Sequence, residues 1–247
     1  MMDVIGVIPA RYSSTRFHGK VLADIMGKPM IQHVWERVKQ ARMLDDIIVA
    51  CDHEEVAEVA LGFGAKVVMT SKSHVCGTDR IAEVINPLDV KIVVNIQADE
   101  PLIHPTMIDS LARALLEDNS VSMATIMKRI VDPALINDSN VVKVVTDKNN
   151  FALYFSRSVI PYAAANSDVK DPQYFKHIGL YGYTKDFLFI YKNLPVSDLE
   201  RSEKLEQLRV LEEGFKIKVI ETMFDTIGID TPDDLLKVEE YLKKEAI

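Results

Sequence analysis

Residues 4–20 read VIGVIPARYSSTRFHGK, and the two halves of this stretch carry opposite chemistry. The first half, VIGVIP (4–9), is an apolar run of the kind found in strands buried on both faces. The second half, ARYSSTRFHGK (10–20), turns basic at once. It holds Arg11, Arg16 and Lys20 beside His18, and no acid occurs between Asp3 and Asp24. A buried strand that ends in a charged loop is the opening of an open α/β sheet, and the downstream sequence repeats the alternation. Ile31, Val34, Trp35 and Val38 share one face of a helix predicted over 30–42. IIVAC (47–51), KVVMT (66–70) and IVVNIQADE (92–100) read as strands, with helices over EEVAEVALGFGA (54–65) and near TDRIAEVIN (78–86) between them. Strands apolar on both faces and separated by amphipathic helices predict a mostly parallel sheet covered by helices on each side.

The second half of the chain is less regular. Strands are expected at VSMATIM (121–127), VVKVVTD (141–147), ALYFSRS (152–158), HIGLYGYTK (177–185) and KIKVIETMF (216–224), with a surface loop over 163–176. One long helix is expected over 198–213 and another over 231–246. The second has a well-marked start, with Thr231 at the N-cap, Pro232 at the first helical position, and Asp233 and Asp234 near the positive end of the dipole. No repeat or Gly/Ser linker divides the sequence, so residues 1–247 are expected to form one domain with an inserted subregion.

The chain has 247 residues, 29 Lys+Arg against 37 Asp+Glu, a formal net charge of −8 and 48% hydrophobic residues. This is globular composition. An acidic chain without a basic block does not make a nucleic-acid-coating surface, although a local basic cluster can still hold a small anion. Cys51 and Cys76 lie far apart without metal-ligand spacing, which predicts reduced thiols. No apolar run reaches the roughly 18 residues of a membrane span, and MMDVIGVIPAR lacks the basic start of a signal peptide. A cytoplasmic location is therefore expected, with neither membrane nor nucleic acid as partner.

Ligands of open α/β sheets bind at the carboxyl ends of the strands. The loop 10–20 suits a polyphosphate through arginine forks, a lysine point charge and backbone amides. It is not a Walker A loop, because Ser14 stands where that motif needs glycine, and no G-x-G-x-x-G follows a strand. At the second strand end, Gln97 and Asp99 fall on the same strand face. Asp99 is thus the better ligand for a hard divalent cation, and Glu100 faces away. The third segment is IGID (227–230), where Asp230 meets the capped helix; its meeting with Asp99 does not follow from the sequence. Arg157, His177, Tyr181, Glu206, Gln207 and Arg209 are further polar candidates. Glu206 and Arg209 also fit a simple surface pair at i and i+3.

Taken together, these blocks resemble the 3-deoxy-manno-octulosonate (Kdo) cytidylyltransferases. The similarity runs in order through IPARYSSTRFHGKVLADIMGKPMIQHVWERV, VMTSKSHVCGTDRIAEV, VVNIQADEPLI, VVKVVTD, ALYFSRSVIPY, KHIGLYGY, EKLEQLRVLEEGFKI and IDTPDDL. The resemblance implies a three-layer α/β sandwich of the nucleotide-diphospho-sugar transferase type, with an inserted region for substrate and dimer contacts. It implies that CMP is transferred from CTP to the anomeric hydroxyl of Kdo with release of pyrophosphate, as the activation step for lipopolysaccharide synthesis. It further implies Mg²⁺ and a homodimer. Carried onto this chain, Arg11, Arg16 and Lys20 would hold the triphosphate, and Asp99 would serve both catalysis and, with Asp230, the metal. Arg80, Gln97, Arg157, His177, Tyr181, Glu206 and Gln207 would bind the substrates, Arg157 facing the sugar-acid carboxylate. The chain departs from the family pattern at His18, Val21, Cys76 and Ala98. The same chemistry on 8-amino-Kdo or another sugar acid is the alternative reading.

Overall fold

The computed structural model describes residues 2–13, 17, 19–74, 76–164 and 172–245. In the first half the strands β1 (Met2–Ala10), β2 (Asp24–Ile25), β3 (Lys28–Pro29), β4 (Asp46–Cys51), β5 (Lys66–Met69) and β6 (Val90–Asn95) alternate with α1 (Met30–Val38), α2 (Glu54–Gly62) and α3 (Gly77–Ile85). The second half adds α4 (Pro105–Glu117), β7 (Met123–Arg129), α5 (Ala134–Asn137), β8 (Lys143–Thr146), β9 (Ala152–Ser156) and β10 (Phe175–Thr184). It closes with α6 (Lys185–Lys192), α7 (Asp198–Glu203), α8 (Leu208–Glu212), β11 (Lys218–Thr222) and α9 (Pro232–Glu245).

One sheet runs in the order β11-β7-β10-β6-β1-β4-β5, with β8 and β9 branching from β10. Along this path β5, β4, β1 and β6 are mutually parallel, as are β7 and β11, and β10 alone runs against its neighbours. Period-2 alternation sorts the strand side chains between two cores. On β1, Val4 and Ile8 pack toward α1, α2 and α4, whereas Ile5 and Val7 pack toward α3, α6 and α8. This is the expected mostly parallel sheet with helices on both faces.

Three features place the functional groups. The parallel strands β1, β4, β5 and β6 bring Arg11, Asp52, Thr70 and Gln97, each just past a strand end, to one edge of the sheet. The reversed strand β10 pairs Tyr181 with Asn95, the last residue of β6, so its earlier residues reach past that edge, where β8 takes over as neighbour through Lys143 and Lys176. A third small core of Ile25, Met30, Leu102, Ile229 and Val238 ties the β2–β3 hairpin and α9 to the loop after β6.

Two expectations change. The strand predicted over 92–100 ends at Asn95, so Gln97 and Asp99 lie in the following turn, and strand alternation is not what orients them. The long helix expected over 198–213 is two helices. Lys204 adopts a left-handed conformation (φ 57°) and donates its N–H to the Glu200 carbonyl, which ends α7. The break lets Leu205 and Gln207 turn inward, and both are buried. Of the loop expected over 163–176, residues 165–171 lie outside the described residues, and its last two residues begin β10.

Candidate active site

Lys20 lies in a single 3₁₀ turn (Lys20–Leu22) that follows Gly19, whose φ of 65° is readily adopted only without a side chain. The Lys20 ammonium reaches across the cleft to donate to Asp99 Oδ2 at 2.6 Å and Asp230 Oδ1 at 3.1 Å. Burial opposes the charge on Lys20, but the two carboxylates outweigh it and raise its pKa, so it stays an ammonium. The approach of Asp230 has a backbone cause: Ile229 N–H donates to the Asp99 carbonyl at 2.9 Å, and Ile229 is anchored in the third core. Helix capping fixes the other side. Thr231 Oγ1 donates to Asp234 Oδ2 at 2.8 Å, and Asp234 also accepts from the N–H of Thr231 at 3.1 Å. Asp234 therefore serves the helix start and leaves Asp230 to the cleft.

Around this cluster opens a cleft of about 490 Å³, lined on the β1 side by Arg11, Ser13, Lys20 and Val21 and on the α3 side by Cys76, Gly77 and Arg80. Its floor is Gln97, Ala98 and Asp99, and Glu206 and Asp230 complete it. Arg11 Nε donates to the Ser13 carbonyl at 3.0 Å. Arg80 is 1% exposed and donates to Asp52 Oδ2 at 2.9 Å and to Thr70 Oγ1. Arg16 and His18 lie outside the described residues. Ala98, one of the departures from the family pattern, is not among the residues with positive φ, so its methyl is accommodated in the turn. Burial pushes the Cys76 thiol up to about 11, and it donates weakly to Asp79 at 3.4 Å; it is a packing group, not a nucleophile.

A second cleft of about 710 Å³ meets the first at Asp230 and carries His177, Tyr181 and Gln207 together with Asp138, Asn140, Lys176 and Lys237. Between the two, a smaller pocket of about 190 Å³ joins Gln97, Tyr181, Glu206 and Gln207. The Gln207 side chain is buried and its Nε2 has no hydrogen-bond partner among the described residues, which marks a donor held ready for a ligand. Burial raises the pKa of Glu206 and, well above its ordinary value, that of Tyr181. His177 packs between Phe155 and Tyr181, and burial holds its pKa down to about 3. Its Nε2 lies 2.8 Å from Thr125 Oγ1, whose own hydrogen is directed to the Leu180 carbonyl at 2.9 Å. Thr125 thus accepts from a neutral imidazole protonated at Nε2, and Nδ1 is the acceptor of the ring.

Arg157 does not line either cleft. Its Nε donates to the Glu203 carbonyl at 2.8 Å and its Nη1 to the Ser139 carbonyl at 3.0 Å. The end of α7 leaves carbonyls in need of donors, and β9 delivers Arg157 to them. Nor do Glu206 and Arg209 form a surface pair. Arg209 holds the buried Glu200 with two donors, Nε at 2.6 Å, and Glu206 points into the cleft.

Several contributors were missed. Glu100, expected to face away from the crevice, lines the second cleft as a half-buried carboxylate that accepts from Thr226, and desolvation pushes it up to about 7. Lys143 is fully buried, with Nζ donating to the carbonyls of Asp138 (2.9 Å), Val141 (2.6 Å) and Arg157 (2.6 Å). Asp52 directly follows β4, a strand end at which ligand groups are expected, and that position was its only signal in the sequence.

Among the described residues no group of three or more His, Cys, Asp or Glu side chains could hold a metal ion. The pair Asp99–Asp230 converges on one cationic group, Lys20. Two hard carboxylates at one point fit a Mg²⁺ ion that takes its remaining ligands from water and phosphate.

A mostly parallel sheet with a cleft at its carboxyl edge that sets Arg11, Lys20 and Arg80 beside Asp99 and Asp230, joined to a polar second compartment, defines an α/β nucleotidyltransferase. The chain belongs to the cytidylyltransferase family, whose model matches residues 5–219, and within it to the 3-deoxy-manno-octulosonate cytidylyltransferases. It is 51% identical to the 3-deoxy-manno-octulosonate cytidylyltransferase of Geotalea uraniireducens over 98% of this chain and 100% of that one. It is 53% identical to that of Solibacter usitatus over 97% and 94%. A solved structure of CMP:2-keto-3-deoxy-manno-octonic acid synthetase complexed with CTP superposes with a TM-score of 0.92 at 40% identity, covering 98% of this chain and 99% of that one. 4-Diphosphocytidyl-2C-methyl-D-erythritol synthase of Anaerococcus prevotii shares the fold at a TM-score of 0.66 and 13% identity, over 98% of both chains.

Proposed function

We infer that this chain transfers CMP from CTP to the anomeric hydroxyl of Kdo, giving CMP-Kdo and pyrophosphate. The observation that carries the reading is the Lys20–Asp99–Asp230 cluster where two polar clefts meet, the first carrying Arg11, Lys20 and Arg80. CTP occupies the first cleft, with Arg11, Arg16 and Lys20 neutralising the triphosphate. Arg80 and Gln97 lie toward the nucleotide. Kdo occupies the second, where Tyr181, His177 and the unpartnered amide of Gln207 meet its hydroxyls. Lys176 and Lys237 supply the cationic side chains of that wall, because His177 is neutral. The sugar oxygen attacks the α-phosphorus as the bond to the pyrophosphate oxygen breaks and the hydroxyl proton leaves. Little covalent protein chemistry is needed, and positioning with charge neutralisation does most of the work.

Asp99 and Asp230 would hold Mg²⁺, which when bound offsets phosphate charge and acidifies a coordinated hydroxyl. When nucleotide enters, Lys20 exchanges its carboxylate partners for phosphate oxygens. A homodimer is part of the same reading and is checked by light scattering. So is a cytoplasmic location, which the two unpaired thiols Cys51 and Cys76 support. No described helix is long and apolar enough to cross a membrane.

The test is pyrophosphate release from CTP and Mg²⁺ with Kdo, 8-amino-Kdo or sialic acid as acceptor. Turnover with Kdo is expected. Absence of release with all three, despite CTP binding, would overturn the catalytic reading.

A further inference from the structure

We propose that Asp52 is a positioning residue for nucleotide binding, a single buried carboxylate that sets both walls of the first cleft. The inference rests on the assignment of that cleft to CTP. Asp52 is 7% exposed, and its two oxygens serve different segments. Oδ1 accepts the backbone N–H of Tyr12 at 3.0 Å, and Oδ2 accepts from Arg80 at 2.9 Å.

On the first wall, Tyr12 is the neck of the basic loop. Its N–H is held by Asp52, and its carbonyl accepts from Gly19 N–H at 3.2 Å, which closes the loop just before Lys20. The Tyr12 ring also stacks on His53, the residue after Asp52, with centroids 4.0 Å apart. Arg11 and Ser13, on either side of this neck, line the cleft.

On the second wall, Arg80 stands in the first turns of α3 with almost no exposed surface, and its described hydrogen-bond partners are Asp52 and Thr70. Thr70 is itself tied to the end of β4, through its hydroxyl and its N–H to the Cys51 carbonyl at 2.9 and 2.8 Å. A guanidinium so deeply buried keeps one orientation only while its counter-charge is in place. Asp52 therefore acts through Arg80 and through the loop backbone and touches neither substrate. Its place at the end of β4, next to β1 in the sheet, is what allows one carboxylate to reach both.

The test compares wild type, Asp52→Asn and Asp52→Ala by calorimetric titration with CTP and Mg²⁺ and by steady-state kinetics. Asn keeps an acceptor for Tyr12 N–H but removes the charge facing Arg80; Ala removes both. The expected result is a graded loss, with the Kd of CTP rising about tenfold for Asn and more for Ala. The KM for Kdo at saturating CTP should stay within twofold in both. A role confined to general stability would not produce that split. Wild-type CTP affinity in both variants, or an equal rise in both substrates' constants, overturns the proposal. If Asp52→Ala does not fold, Asp52→Asn decides it by the same criterion. Failure of wild type itself to bind CTP would instead overturn the reading of the cleft.

Discussion

The environment of His177 predicts an acid response of stability whose sign and size follow from the structure. The folded ring has a pKa of about 3, held there by burial, against an ordinary value of 6.5. Below pH 6.5 the unfolded chain takes up a proton that the native ring refuses, so stability is lost as pH falls through that range until about pH 3. Between pH 7 and pH 5 this loss is about 2 kcal/mol. Glu100 works in the opposite direction. Burial raises its folded pKa to about 7 from 4.5, so the native state holds a proton that the unfolded chain has released. Its contribution is fully present below about pH 4.5, is lost as pH rises through 7, and favours the native state at pH 5 over pH 7 by about 2 kcal/mol. The two terms nearly cancel in wild type, and substitutions separate them. Urea unfolding in EDTA, followed by circular dichroism at pH 7 and pH 5, measures each. His177→Gln should gain about 2 kcal/mol relative to wild type on acidification, and Glu100→Gln should lose a similar amount. A stability difference between wild type and His177→Gln that is the same at both pH values would refute the reasoning. It would mean that the ring titrates freely in the folded protein and can present an imidazolium to the sugar acid.

Further outcomes concern the other cationic and acidic groups. Asp99→Ala and Asp230→Ala should each lower kcat by about 100-fold or more while circular dichroism stays native; near-normal turnover at saturating Mg²⁺ in either one removes it from the metal site. Lys143→Met strips a donor from three carbonyls but also ends the desolvation of an ammonium, and a net loss of about 2 kcal/mol in urea unfolding is expected. No loss would show that the three contacts are energetically idle. Lys204→Gly should raise stability by up to about 1 kcal/mol, because glycine adopts the left-handed break between α7 and α8 without strain; a loss would mean that the lysine stem contributes packing that outweighs its backbone.

Much of this protein is legible along the chain because the relevant signals are local. The apolar run 4–9 and the Thr231–Asp234 helix start each depend on residues within a turn or two of one another, and each appears where its pattern predicts. The pairing of Asp99 with Asp230 was not legible. It depends on a third core built from four separate segments and on one backbone hydrogen bond, Ile229 to Asp99, between residues far apart in sequence. The division of 198–213 was hidden for another reason: its periodicity is continuous with a single helix, and only burial of Leu205 and Gln207 justifies a left-handed lysine. Arg157 shows the converse, a residue type suited to a sugar-acid carboxylate that the end of α7 engages instead.

The sequence by itself determined the alternation of strand and helix, the edge of the sheet at which polar and charged loops gather and the residue types available there, since periodicity and charge are properties of neighbouring positions. The tertiary structure decided which of those residues meet. Sheet order, the reversal of β10 and the docking of α9 bring distant groups within hydrogen-bond reach, and the surroundings met there then set each charge: two carboxylates keep Lys20 an ammonium against its burial, and burial keeps His177 neutral.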